Sequence, residues 1–447
     1  MIRVRSDLTP ASLTKKVASL FDASAQKLRS LERSWAPSQG APVFTIDGKY
    51  TSRGWTEWTQ GFQFGAAVLQ FDATGENHFL EYGRDHTVRL MAPHLTHQGV
   101  HDHGFNNVST YGSLLRLMDE SRIEDNAWER RFYQLALMCS GAVQAMRWSK
   151  TAGGGGYIYS FNGPHSLFVD TIRSLRALAV SHRLGHVLMG ENDKRISLLD
   201  RLIQHAEATA QYSVYYGEGR DSYDVRGRTA HESVFNSNDG NFRCPNSQQG
   251  YSPFSTWTRG LAWAMCGFAE QLEFFETLED PDPAVIATMR RAAEATCDFY
   301  IANSPTDGIP YWDTGAPNLH KLGDWASKPS DPFNHHEPVD SSAAAIGAQG
   351  LLRLGRYLNN DRYRQAGLTV CDALFDEPYL STDPAHQGLI LHAVYHRPNG
   401  WDRAPDPDGV PRGEACMWGD YHARELALYL LRIIEDRPYL TFWSGSK

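Results

Sequence analysis

No stretch of this chain offers the roughly 18 uninterrupted apolar residues that a membrane span requires. The opening MIRVRSDLTPASLTKK also lacks the apolar core of a secretion signal. A cytoplasmic protein with no membrane partner is therefore expected. Cysteine is sparse and scattered, at Cys139, Cys244, Cys266, Cys297, Cys371 and Cys416, with no CxxC pair. That excludes a zinc ribbon and a disulfide framework, and the six thiols are read as reduced and mostly buried. Positive charge is in deficit, with a formal net charge of -9, which argues against nucleic acid as a partner. Any acidic ligand must then be met by local cations or hydrogen-bond donors. Strand signals are few. No Rossmann fingerprint or nucleophile elbow occurs, and the run Gly153–Gly156 lacks the preceding strand and following Lys-Ser/Thr of a phosphate loop. No cofactor is implied.

What the chain does have is aromatics and helical periodicity. Aromatic residues make up 12% of the sequence and include 12 Trp, and flat rings flanked by polar groups are a common lining of sugar sites. With 447 residues, 41% of them hydrophobic, the chain can bury a large core, either in several average domains or in one large toroid. Apolar residues recur at helical spacing in block after block, as in Ile172, Leu175, Leu178 and Ala179. Six segments, near Trp58, Phe105, Val169, Thr256, Ser341 and Trp418, are rich in small and aromatic residues and read as buried helices. Amphipathic segments at 11–33, 77–92, 125–148, 191–212, 283–302 and 360–375 alternate with them as an outer layer. Several turns that lead into this layer (TGENHFL, MGENDKR, LNNDRYR) carry Gly or Asn to end one helix and Asn or Asp to cap the next. Six inner and six outer helices describe an all-α fold, an (α/α)6 barrel, with one catalytic domain spanning 1–447. The long irregular stretches, about 214–254, 304–339 and 377–417, are expected as loops over one face.

Inner-helix starts converge on one mouth in such a toroid, and polar residues fall there: Asp102 in HDHGF, Asp170 in FVDTIRS, Asp340 in VDSSAAAI and Asp420 in WGDYH. An Asp at a helix start is also a cap, and for Asp340 and Asp420 a cap accounts for the residue without any chemistry. Asp102 and Asp170 on neighbouring helices supply the paired carboxylates of glycoside chemistry, with a structural role left open beside it. In WTRGLAW, helical spacing sets Arg259 and Trp263 on one face with Trp257 at the helix start, a cation and two indoles suited to a charged sugar ring. The alternative there is a core aromatic pair with a capping arginine. The histidines His94, His97, His101 and His103, and His335 with His336, match no ordered ligand pattern, so no metal is expected.

Six fragments in order, HDHGF, VDT at 169–171, WTRGLAW, IPYWD, VDSSAAAI and WGDYH, resemble the unsaturated glucuronyl hydrolases, glycoside hydrolase family 88, over nearly the whole chain. The resemblance implies an (α/α)6 barrel that needs no cofactor. It also implies a substrate, an oligosaccharide whose nonreducing uronic acid carries the C4=C5 double bond left by a lyase. Protonation at C4 and addition of water at C5 would give a hemiketal that opens and releases the remaining sugar. By position, Asp170 resembles the family's general acid and base, and Asp102 its second essential carboxylate, with one pKa of the pair raised. His231 and Gln249 match substrate-contacting positions, to which Arg259, Trp257 and Trp263 would add binding of the uronate end, with Trp58 and Phe62 as an aromatic wall. His103 stands where the family has an aliphatic residue and Leu261 where Gln is common, and the loop at 315–338 is long. The competing readings are an unsaturated rhamnogalacturonyl hydrolase, a toroidal sugar epimerase using histidines, and a non-catalytic sugar-binding toroid.

Overall fold

Helical periodicity becomes twelve longer helices among the described residues of the computed structural model, which are 1–53 and 57–443. In chain order these are α1 (Thr14–Ser34), α2 (Gln60–Thr74), α3 (Asn77–Leu90) and α4, which runs through His103–Asn107, a π turn at Val108–Gly112 and Ser113–Asp119. Next come α5 (Ala127–Met146), α6 (Thr171–Ser174 continued by Arg176–Arg183), α7 (Leu198–Tyr212) and α8 (Thr258–Phe275). The last four are α9 (Pro283–Asn303), α10 (Ser341–Tyr357), α11 (Asp361–Leu374) and α12 (Met417–Ile434). Each even-numbered helix packs on the next, and α12 packs back on α2, so the inner ring closes. The odd-numbered helices lie outside it, each against one or two inner helices. The architecture is the expected (α/α)6 barrel.

Small residues let the inner helices approach closely. A Cβ on Gly104 of α4 would meet the Ser174 carbonyl oxygen of α6 at 2.1 Å, and one on Gly350 of α10 would meet the Cys266 nitrogen of α8 at 2.8 Å. The apolar core is continuous from Ile2 to Trp443, and a second small cluster of Tyr157, Leu167, Ala208 and Phe235 includes residues of the loop sheet, whose three strands are Ser166–Phe168, Glu232–Phe235 and Phe242–Asn246. The toroid axis, by contrast, is filled with paired charge. Arg173 of α6 donates to both oxygens of Glu270 on α8 (2.7 and 2.8 Å) and to Glu425 on α12 (2.8 Å). Gln349 of α10 also donates to Glu425, and Arg176 reaches its other oxygen at 3.4 Å. All of these side chains are buried, so every charge here depends on its partners.

Two local expectations need correction. The fourth outer helix starts at Leu198 and not near 191, because Leu188–Met189 pairs with Arg195–Ile196 in a hairpin that turns through positive-φ Asn192 and Asp193. Ser197 then caps α7 by accepting from Asp200 N. Among the turns, Asn360 caps α11 and Gly75 ends α2 at φ 74°, but Asn77 lies inside α3 and Glu76 occupies its cap position without a side-chain bond. Four cysteines are buried, Cys139 is half-buried and Cys244 exposed, with no disulfide among the described residues. Among the described residues, no helix is long and apolar enough to cross a membrane.

Candidate active site

Two short devices bring the paired carboxylates together. Strand Ser166–Phe168 pairs with Glu232–Phe235 (Phe168 opposite Glu232), and Val169 N donates to the His231 carbonyl, which delivers Asp170 to the start of α6. Asp102 sits at the start of α4, and the preceding His101 carbonyl is clamped by Ser174 Oγ (2.7 Å) and Gln144 Nε2 (2.9 Å). Neither carboxylate makes a side-chain capping bond to its helix, so the cap reading fails at both positions. His101 Nε2 instead donates to Asp170 Oδ2 at 3.2 Å and lies 3.7 Å from Asp102 Oδ1. One oxygen of each carboxylate and an imidazole nitrogen fall within 4.8 Å of one another. Asp170 Oδ1 has no hydrogen-bond partner among the described residues.

Burial pushes the Asp102 carboxyl above its ordinary 3.8; His101 opposes the shift and the Asp170 charge adds to it. At Asp170 burial acts the same way, but the His101 hydrogen bond and charge outweigh it and hold the group below 3.8. His101 loses by burial and gains more from the two carboxylates, so it stands above its ordinary 6.5. The pair does split as like charges at close range must, with the raised member being Asp102. The imidazole faces both carboxylates through the nitrogen that donates to Asp170, so the trio shares a proton.

These groups open into a cavity continuous with solvent. Seven of the nine residues singled out in the sequence line it: Asp102, Asp170, Trp58, Gln249, Trp257, Arg259 and Trp263. Phe62 does not reach the cavity; it is fully buried behind Trp58 (ring centroids 5.7 Å apart), because its position on α2 faces Tyr421 and His422 of α12. His231 also stands behind the lining, against Phe168 and Trp257. Its Nδ1 accepts from Gln248 N (3.0 Å) and Gln249 N (3.3 Å), which fixes the loop carrying those glutamines and leaves the ring proton on Nε2. Burial brings its pKa down to about 4.

Arg259 lies over Trp257 (4.6 Å) and Trp418 (5.1 Å), but its four terminal N–H groups are engaged by the protein. They go to Asp340 (2.6 Å), the Val394 and Tyr395 carbonyls and Gln249 Oε1. Asp340 thus caps α10 through Ser342 N and neutralises Arg259, as the cap reading allowed. Asp420 is not a cap. It accepts from Leu389 N, Ile390 N and Tyr50 Oη, tying the 389–390 loop and the strand Lys49–Ser52 to α12. Sequence reasoning passed over Phe161, Tyr395, His396, Trp401 and His101, all of which line the cavity. The Trp401 indole in a long loop was the one available signal for the rim. Of the other clustered histidines, His94 bonds Gln60, His103 bonds Ser140 and the His97 carbonyl, and His335 pairs with Asp408 away from the cavity.

No family model matches the chain. Curated proteins do. A Formosa agariphila protein named unsaturated glucuronyl hydrolase is 26% identical over 372 residues, covering 83% of this chain and 78% of that protein. One of the same name from Bacillus sp. (strain GL1) is 27% identical over 400 residues, covering 86% and 89%. Over most of its length the chain is similar to proteins named unsaturated glucuronyl hydrolase. An unsaturated chondroitin disaccharide hydrolase of Streptococcus pyogenes is 24% identical over 409 residues, covering 88% and 86%. Among solved structures, that of an unsaturated glucuronyl hydrolase specific for heparin superposes with a TM-score of 0.73 at 19% identity, covering 94% of this chain and 98% of that one. The Bacillus sp. GL1 enzyme superposes at 0.71 with 22% identity, covering 96% and 99%. These superpositions carry the fold.

Proposed function

We propose that this protein, as one catalytic domain over 1–447, is a glycoside hydrolase that releases the 4,5-unsaturated uronic acid from the nonreducing end of lyase-generated oligosaccharides by hydrating the C4=C5 enol ether. The observation that carries the reading is the uncapped, buried pair of Asp102 and Asp170 at the base of an aromatic-walled cavity, in a chain similar to proteins named unsaturated glucuronyl hydrolase. One oxygen from each carboxylate lies within 4.8 Å of the other, less than the roughly 6.5–9.5 Å at which an inverting pair leaves room for water between them.

In this mechanism Asp170 delivers a proton to C4, positive charge develops at C5, and the same carboxylate then takes a proton from the water that adds there. The bound uronate brings a negative charge beside Asp170, which raises its hold on the proton. Asp102 accepts from the substrate hydroxyls. His231 stays behind the lining and, by accepting from Gln248 N and Gln249 N through Nδ1, holds the loop that carries Gln249. Gln249, its Oε1 held by Arg259, turns its amide N–H groups to the substrate, so Arg259 positions a donor and does not clamp the uronate itself. Trp58, Trp257 and Trp263 supply ring faces. The hemiketal opens at C5, the ring oxygen stays on C1, and C1 expels the leaving sugar.

A matched pair of disaccharides tests this reading, one with the unsaturated and one with the saturated uronate on the same leaving sugar. Cleavage of the unsaturated compound alone is expected, with deuterium entering at C4 in heavy water. Equal cleavage of both would make the protein an ordinary glycosidase.

A further inference from the structure

The hydrolysis proposed above requires a proton on Asp170, yet the free site holds that carboxylate ionised, so the proton must be kept elsewhere until substrate arrives. His101 is in position to keep it. Its ring is buried between Phe161 and Phe168 (centroids 6.0 and 5.6 Å away), and its Nε2 bridges toward Asp170 Oδ2 and Asp102 Oδ1 at 3.2 and 3.7 Å. Among the described residues, the hydrogen bonds of the neighbouring histidine rings go to backbone and hydroxyl groups, and none goes to a carboxylate. His231 Nδ1 accepts from two backbone N–H groups, His205 Nδ1 accepts from Ile158 N, and His103 is fixed between Ser140 and the His97 carbonyl. Nδ1 of His101 bonds no described protein atom, so the ring can gain or lose a proton without breaking a contact.

We propose that His101 is a positioning residue that acts through Asp170 as the proton store of the reaction. On substrate binding the imidazolium passes its Nε2 proton to Asp170 Oδ2, and Asp170 gives a proton to C4. After water adds at C5, the proton that Asp170 removes from it returns to His101, so the site ends as it began and water alone is consumed. Every charged or titratable group that faces the ring enters this balance: Asp102 on its own loop, Asp170 from α6, Arg147 from the end of α5, His205 from α7 and His231 from the loop sheet. The two carboxylates favour the imidazolium, Arg147 opposes it, and His205 and His231 stay neutral, brought down by burial to about 3 and about 4.

This inference rests on the hydrolytic reading, and its test is arranged so that the two fail separately. Histidine ring nitrogen spectra of the full-length protein, with His101→Gln identifying the resonance, follow the titration without any turnover. The His101 ring is expected to titrate above 6.5 in the wild type and at lower pH in Asp170→Asn. Gln places a donor where Nε2 stands but stores no proton, so His101→Gln is expected to fold, to lose at least ~10²-fold in kcat on an unsaturated disaccharide with KM little changed, and to move the alkaline limb of its pH profile to lower pH. His101→Leu, which also removes the donor, should be no more active. A His101 that titrates at or below 6.5, or a Gln variant with wild-type kcat and pH profile, overturns the assignment. Lack of turnover by the wild type overturns the hydrolytic reading, while the titration still decides the coupling of His101 to Asp170.

Discussion

Asp170→Asn is expected to lower kcat on unsaturated disaccharides by ~10²–10⁴-fold while leaving the fold intact, because it removes proton transfer and little else. Asn is nearly isosteric with Asp, and its carbonyl can still accept from His101 Nε2, the side-chain hydrogen bond that Asp170 makes among the described residues. The other oxygen, Oδ1, makes none, so an amide there strands no protein partner. Rate and stability should therefore separate, with melting temperature near that of the wild type and circular dichroism unchanged. Retention of more than about a tenth of the rate would move the acid elsewhere in the cavity, with Asp102 the next group to test.

The second large effect is on stability and lies on the toroid axis. Glu425→Gln keeps the side-chain shape but removes the charge that compensates Arg173 and Arg176, two arginines with fully buried side chains. Unpairing a buried ion pair costs about 3–5 kcal/mol. With ~2.1 cal/mol/K of unfolding entropy per residue over 447 residues, that corresponds to a fall in Tm of about 3–5 °C. The surface pair Arg29–Glu76, with side chains 41 and 44% exposed, provides the contrast, since Glu76→Gln should change Tm by less than about 1 °C. The pH dependence has a definite sign. Burial alone would raise the Glu425 carboxyl, but Arg173 and Arg176 hold it well below 4.5, so its contribution is present above that value and is lost as pH falls toward the folded-state pKa. The Gln variant should show a correspondingly shallower acid unfolding profile. Equal Tm shifts in the two variants would mean that the axial charges are solvated or compensated elsewhere.

The inner helices were legible because small and aromatic residues recur in them at helical spacing, and a glycine such as Gly104 marks a contact between helices that no larger residue allows. The carboxylate pair was legible through motif and position, since Asp102 and Asp170 begin adjacent inner helices. Arg259 was harder to read. Its partners Asp340, Val394 and Tyr395 lie 81, 135 and 136 residues downstream, and local spacing carries no trace of them. Phe62 and His231 were misplaced for a related reason: periodicity says which face of an element is apolar, not which of two rings stands in front. Tyr395, His396 and Trp401 belong to a long aperiodic loop, where the pattern on which the helices were read is missing. His101 was set aside with the loop histidines because the hydrogen bond that distinguishes it runs to a carboxylate 69 residues away.

The most direct measurement is the ultraviolet absorbance of the conjugated uronate when the purified protein is mixed with unsaturated disaccharides from chondroitin, hyaluronan, heparin and pectin. Hydration at C4=C5 destroys the chromophore, so absorbance should decay on at least one of the first three and remain constant with Asp170→Asn. Constant absorbance with the wild type on all four would contradict hydrolysis by hydration for these sugars and leave the toroid as a binding protein.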